Sequence, residues 1–489
     1  MELNRRTFLK RTGTVVVSTM AGRLLLDSFG PMATAANASL PLSGTLPLGT
    51  PILVVVDLQG GNDALNMLCP ITSPWYYDAL YGHGSLAIPA NQALVLNGTP
   101  YGLHPSLTWL SDRWANAGDV AFVQGVGENV AHEFSHFNAS HYRQVAHFNS
   151  GTEGRGWLGR YNDVQAPASP LASVSLSGLH PMLLGNQTPV LSVPSCAGFQ
   201  FSADWHWSAG FIPALQQMGT PSNATKMTAK AVQNISDTFA AKTQVNAANN
   251  SAYSKGGTAL IGQLSQAAML IQAGIPSQTY VCSFSGFDTH SSESWVHGDL
   301  LRQVNEALQW FFSIIDGGSR KNDVFVLLTS EFGRQVTQNA GGGCDHGQGS
   351  VDIVLGGGVH GGLYGLAPTL DPGGPTRPNR LNDALVPTVD FRSVYATILN
   401  RLGGDPNLSD SILLTHFDDL GFFGAPSPGG PPGTPPSSTS TTTTAPAGGT
   451  GGGDRPKTTT TTTSTSMPMQ TTTTSTSMPM TSTTMSGKP

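Results

Sequence analysis

Carboxylates and imidazoles gather at a few short motifs in this chain, most of them directly after apolar runs. Asp57 and Asp63 bracket a Gly60-Gly61-Asn62 turn, Asp288 stands two residues before His290, and Glu331 is followed by Arg334. Asp345 and His346 sit side by side in a glycine-rich loop, where they contribute little to packing and therefore read as functional. Carboxylates gathered at one edge of a sheet repel one another unless a positive charge satisfies them. A divalent metal does so directly, with imidazole as a ready co-ligand. Each motif also has a plainer reading. The glycine turn serves tight geometry, Asp288-Thr289 can cap the helix that follows, and Glu331 can pair with Arg334.

A further group comprises His132, Ser135, His136, His141 and His147, with Arg143 among them. Its first five residues, His132-Glu133-Phe134-Ser135-His136, match the H-E-x-x-H pattern of zinc proteases. That chemistry needs the motif on a regular helix with a third ligand downstream. Gly125, Gly127 and Asn129 before it describe a loop only entering a helix. A polar loop or helix face is the simpler account of the other histidines.

Something must position these residues. Apolar runs rich in β-branched residues at 52–56, 120–123, 280–284, 324–328 and 351–355 are bounded by turn residues. Runs of this length suit strands buried on both faces of a parallel sheet. Between them, Leu260, Ile261, Leu264, Ala267, Ala268 and Ile271 give one apolar stripe; Leu300, Leu301, Val304, Leu308, Phe311 and Phe312 give a second. The alternation predicts an α/β fold, a doubly wound and mostly parallel sheet flanked by helices. In such sheets ligands bind beyond the carboxyl ends of the strands, which is where the acidic motifs fall. Residues 170–250 are less regular and read as an insertion or cap.

The ends differ from this middle. Asn4-Arg5-Arg6-Thr7-Phe8-Leu9-Lys10, a short apolar stretch over 14–26 and Ala-x-Ala at 33–35 or 36–38 describe a twin-arginine signal peptide over 1–38. The expected partner during export is the twin-arginine translocase, and the expected location is extracytoplasmic, secreted or associated with the cell envelope. Arg23 interrupts the apolar stretch, and a spanning helix needs about 20 mainly apolar residues, so no transmembrane span is expected. The globular part covers 40–424. From 425 to 489 the chain is mostly Pro, Gly, Ser and Thr, with 471–480 nearly repeating 461–469. Such a tail has too little to bury to offset the entropy of ordering and should stay disordered, as a spacer or a tolerated extension. A net charge of −6 without a basic cluster beyond the signal argues against nucleic acid. Cys69, Cys196, Cys282 and Cys344 are too dispersed for a zinc motif, and leave one or two disulfides open.

Taken together, several motifs resemble the exported family named domain of unknown function 1501. They are the paired arginines, Leu53-Val54-Val55-Val56-Asp57-Leu58-Gln59-Gly60-Gly61-Asn62-Asp63-Ala64-Leu65-Asn66, Leu103-His104-Pro105, Ser135-His136-Phe137, Gly156-Trp157-Leu158-Gly159-Arg160, Asp288-Thr289-His290, Ser330-Glu331-Phe332-Gly333-Arg334 and Asp345-His346-Gly347. The resemblance runs over about 51–403. It implies an alkaline phosphatase-like fold and a metal-dependent hydrolase acting on a small anionic ester, a phosphate or sulfate. In that scheme Asp57 or Asp63 supplies the metal ligand of the first strand, while Asp288, His290 and His346 form one site, with His297 a substitute. Glu331 and Phe332 stand where an Asp-His pair is common, and Phe332 cannot bind metal. Ser135, with Ser140 behind it, is the candidate nucleophile beside His136, and Arg143 or Arg334 the oxyanion clamp. The metal would be zinc, calcium, magnesium or manganese. The competing class is a non-catalytic envelope protein that binds glycan or organises the surface.

Overall fold

The computed structural model describes residues 45–128, 134–148, 154–165, 171–199, 237, 239–375, 384–403 and 405–424, with two short paired strands, Val17–Thr19 and Gly22–Leu24. His132 and Glu133, most of the signal segment, the tail from 425 and residues 200–236 lie outside the described residues.

A nine-stranded sheet organises the domain. Its strands are β1 (Ile52–Gln59), β2 (Val120–Gly127), β3 (Ser173–Ser175), β4 (Leu191–Ser192), β5 (Thr279–Ser285), β6 (Val324–Thr329), β9 (Ser350–Gly356), β10 (Gly362–Tyr364) and β11 (Val389–Asp390); β7 (Arg334–Gln338) and β8 (Cys344–His346) form a separate hairpin. The order across the sheet is β10-β2-β9-β6-β1-β5-β3-β4, with β11 also on β2. All five expected runs are strands, and they are the longest of the sheet. The Ile52–Gln59 run pairs in parallel with β5 on one side and β6 on the other. The sheet is mixed, however, because β9 runs antiparallel to both β6 and β2. An apolar run carries no direction in its composition, so only the pairing reveals the reversal. Its consequence is that the β7–β8 hairpin, which leads into β9, lies at the edge where the parallel strands end.

Helices cover both faces. Ile52, Val54, Val56 and Leu58 of β1 belong to a core shared with α1 (Thr108–Ala117), α4 (Ala259–Gln272) and α5 (Glu293–Ile315). Leu53 and Val55 point the other way, toward α3 (Trp157–Gln165) and α6 (Phe391–Gly403). The alternation is the two-residue period of a strand used on both sides. Both expected apolar stripes face the sheet, on α4 and α5. Across the second layer, Trp157 and Tyr395 are fully buried and stack with centroids 4.3 Å apart.

The segment expected to be an insertion begins differently. Its first part supplies β3 and β4, which extend the sheet beyond β5 in parallel. The cysteines are also resolved by packing: all four are buried free thiols rather than disulfides. Burial pushes the Cys69 and Cys196 thiols up to about 12, and those of Cys282 and Cys344 higher still. Among the described residues, no helix is long and apolar enough to cross a membrane.

Candidate functional site

Segments at one sheet edge deliver the site. His136 opens α2 (His136–Val145) after β2; Asp288 and His290 follow β5; Glu331 and Arg334 follow β6; Asp345 and His346 end β8. Asp288 Oδ1 is the point of convergence. His136 Nε2 lies 3.3 Å from it, His290 Nε2 3.1 Å and His346 Nε2 3.2 Å. The His290 and His346 Nε2 atoms are 2.9 Å apart.

The other ring nitrogen of each imidazole is anchored on an oxygen. His136 Nδ1 donates to Glu331 Oε1 at 2.8 Å, His290 Nδ1 to Asp345 Oδ1 at 2.7 Å, and His346 Nδ1 to the Phe134 carbonyl at 2.7 Å. Oxygens that can only accept fix the hydrogen on Nδ1, which in a neutral ring leaves the lone pair on Nε2. Anchoring of this kind, by carboxylate or carbonyl, is how metal-bound histidines are held. Two Nε2 lone pairs at 2.9 Å repel unless a proton or cation lies between them. His136 Nε2 is buried and has no hydrogen-bond partner. This atom, with only Asp288 Oδ1 near it, and the His136, Asp288 and His346 donors, which all lie within 4.8 Å of one another, fit a divalent cation, with His290 Nε2 beside them.

Electrostatics hold the anchors in place. The hydrogen bond to Glu331 raises the His136 imidazole above its ordinary value, against the opposing effect of burial. Burial lowers that of His346. Burial alone would raise the Asp288 carboxyl, yet Arg334 holds it down to about 2. Asp345 is likewise below its ordinary range, because its bonds to His290 and Asn339 outweigh burial. Glu331 itself is fixed by N–H of Gly60 at 2.9 Å and by the Ser330 hydroxyl at 3.1 Å.

Several candidates occupy other positions. Arg334 is fully enclosed. It donates to Asp288 Oδ1 at 2.6 Å, to the carbonyls of Gly61, Phe287 and Cys344 at 2.7, 3.0 and 3.1 Å, and to that of Gly60. It is a strut for Asp288 rather than a free oxyanion clamp. Arg143 is also buried, against Asp352 at 3.4 Å and the Glu331 carbonyl at 3.3 Å, with its guanidinium over the Phe391 ring. Ser135 is exposed at the N-terminus of α2 and accepts from the Asn138 N–H at 3.5 Å. Asp57 joins His180 instead, at 3.2 Å. Asp63 is buried with His83, and neither of these aspartates enters the His136–Asp288–His346 group. Phe332 packs against His136 and His346, with ring centroids 4.8 and 4.9 Å away, and fills the flank where a further ligand would stand.

Sequence reading overlooked His83, His180 and Glu293. No local motif marks them, and their partners lie 20, 123 and 51 residues away. Residues 224–409 match the model of a family described as a protein of unknown function (DUF1501). The matched span carries Asp288, His290, Glu331, Arg334, Asp345 and His346, whereas His136 precedes it. No curated protein matches the chain.

Proposed function

We propose that this chain is a metal-dependent hydrolase of small phosphate or sulfate esters, with one divalent cation held by His136, Asp288, His290 and His346. The observation that carries the reading is the convergence of three anchored imidazoles on Asp288 Oδ1, at 3.1–3.3 Å. A zinc-type cation there would act as a Lewis acid on an anionic ester and lower the pKa of an attacking water or hydroxyl. The protein's own part is preorganisation. Glu331, Asp345 and the Phe134 carbonyl fix the three ring orientations, and Arg334 fixes the carboxylate. Ser135, one residue before His136 and exposed, is the candidate hydroxyl nucleophile, and a water is the alternative. Phe332 favours one cation over two, since it supplies no donor on the flank it fills. We also propose an alkaline phosphatase-like ancestry for the fold and export by the twin-arginine route, on the strength of Arg5 and Arg6.

The test is metal content and hydrolysis measured together. Purified wild-type protein should retain zinc or manganese through dialysis and hydrolyse aryl phosphates or sulfates, and H346A should lose one metal equivalent together with the hydrolysis. Hydrolysis that survives in a folded H346A variant overturns the catalytic assignment. Metal without hydrolysis of either ester class, together with retained glycan binding, points instead to a non-catalytic envelope protein.

A further inference from the structure

Beneath the Gly60–Asp63 turn lies a second gathering of titratable groups that the proposed reaction does not use. Asp63, Glu293 and His297 are each at least 99% buried, and their donor atoms all lie within 4.8 Å of one another. They come from separate parts of the fold. Asp63 caps the single turn Ala64–Met67, whereas Glu293 and His297 are one helical turn apart on α5 and so share a face. His83 closes the other side, with Nε2 at 3.2 and 3.1 Å from the two Asp63 oxygens and Nδ1 donating to the Val336 carbonyl at 2.6 Å. His297 Nε2 is fixed by Asn62 Oδ1 at 2.9 Å.

Glu293 is the informative member. One oxygen accepts from the Cys344 N–H at 2.8 Å, but the other, Oε1, is buried with no N–H or hydroxyl donor to satisfy it, and the carboxyl faces that of Asp63. A carboxylate oxygen left without a donor in the interior is costly, so folds seldom keep one without a compensating group.

We propose that Asp63, Glu293 and His297 form a second divalent-cation site, enclosed and structural, taking a first-row ion such as zinc or manganese. Mixed carboxylate and imidazole donors suit such ions, and closure against solvent is the mark of a structural centre rather than a catalytic one. The site would fasten the start of α5 to the turn after β1. Those two elements flank Asp288, so the buried ion would brace the loop edge on which the outer site is built.

The inference is independent of the proposed hydrolase, and metal counting separates the two. Wild-type protein, H346A, E293Q and the double variant are dialysed against metal-free buffer and their bound zinc and manganese measured. The expected values are two equivalents, one, one and none. If wild type holds one equivalent and E293Q still holds one, the buried site is overturned and the outer one stands. If wild type holds one, H346A keeps it and E293Q loses it, the buried site stands alone. No metal in wild type overturns both. Should E293Q fail to fold, anomalous diffraction from wild-type crystals decides: a peak among Asp63, Glu293 and His297 is expected, and its absence overturns the site.

Discussion

Replacing Arg334 by lysine keeps the charge and removes the geometry, which makes it a sharp test of how the site is held. The arginine spreads its five N–H donors over a planar fork, whereas lysine has three on one atom. Five acceptors surround the guanidinium: Asp288 Oδ1 and the carbonyls of Gly60, Gly61, Phe287 and Cys344. At least two of them lose their donor in R334K. A buried acceptor left unsatisfied costs about 1–3 kcal/mol, so the variant should lose roughly 2–6 kcal/mol of stability. A pure ion-pair role would predict a small change, because the charge opposite Asp288 survives. Urea unfolding of both proteins, followed by tryptophan fluorescence and circular dichroism, gives the difference from the midpoints. A loss under about 1 kcal/mol would refute the view that Arg334 acts by satisfying carbonyls.

The other predictions probe separate parts of the argument. E331Q weakens the anchor on His136 and should lower affinity for zinc about 10- to 100-fold, read by competition with a chelating dye; unchanged affinity would remove Glu331 from the support of the centre. Gly60 has φ +122°, and a Cβ there would lie inside contact distance of Asp288 N and 2.9 Å from Phe287 N. G60A should therefore cost more than about 3 kcal/mol, whereas G98A, at φ +81° with open space around it, should cost about 1–2 kcal/mol; equal losses would contradict the close-approach account. Burial lowers the His104 imidazole to about 4, and its Nδ1 accepts the Ser106 N–H at 3.1 Å. The folded state then binds fewer protons than the unfolded one, so stability rises with pH between about 4 and 6.5 and is lost as pH falls through that window, by up to about 3 kcal/mol. H104N should flatten that slope, and parallel curves for the two proteins would count against it.

The sheet was legible because its strands are short, β-branched and buried on both faces, as 52–56 and 324–328 illustrate. Strand direction was not, since reversing 351–355 leaves its composition the same; the pairing of β9 had to be seen. The site motifs were legible where a carboxylate and an imidazole are sequence neighbours, at Asp288 with His290 and at Asp345 with His346. Their division of labour was not. Asp345 and Glu331 look like ligands in the sequence, yet they hold histidines from behind. Asp57 occupies a strand position like a ligand's, but its partner His180 comes from a distant loop. Arg143 carries the right charge for an anion clamp and spends it on Asp352 inside the core. Sequence gives residue types at strand ends; which side chains meet depends on contacts between segments far apart in the chain.

The four buried thiols give the domain a built-in clock. Cys69, Cys196, Cys282 and Cys344 are distributed from the β1 edge to the β7–β8 hairpin, none is paired, and burial suppresses the thiolate of each. An alkylating reagent can therefore reach them only when the region around each one opens, so labelling rates would time that opening cysteine by cysteine. The same arrangement lets the fold reach its final covalent state without any oxidant. A change from a reducing to an oxidising medium then leaves its connectivity unaltered for as long as it stays folded.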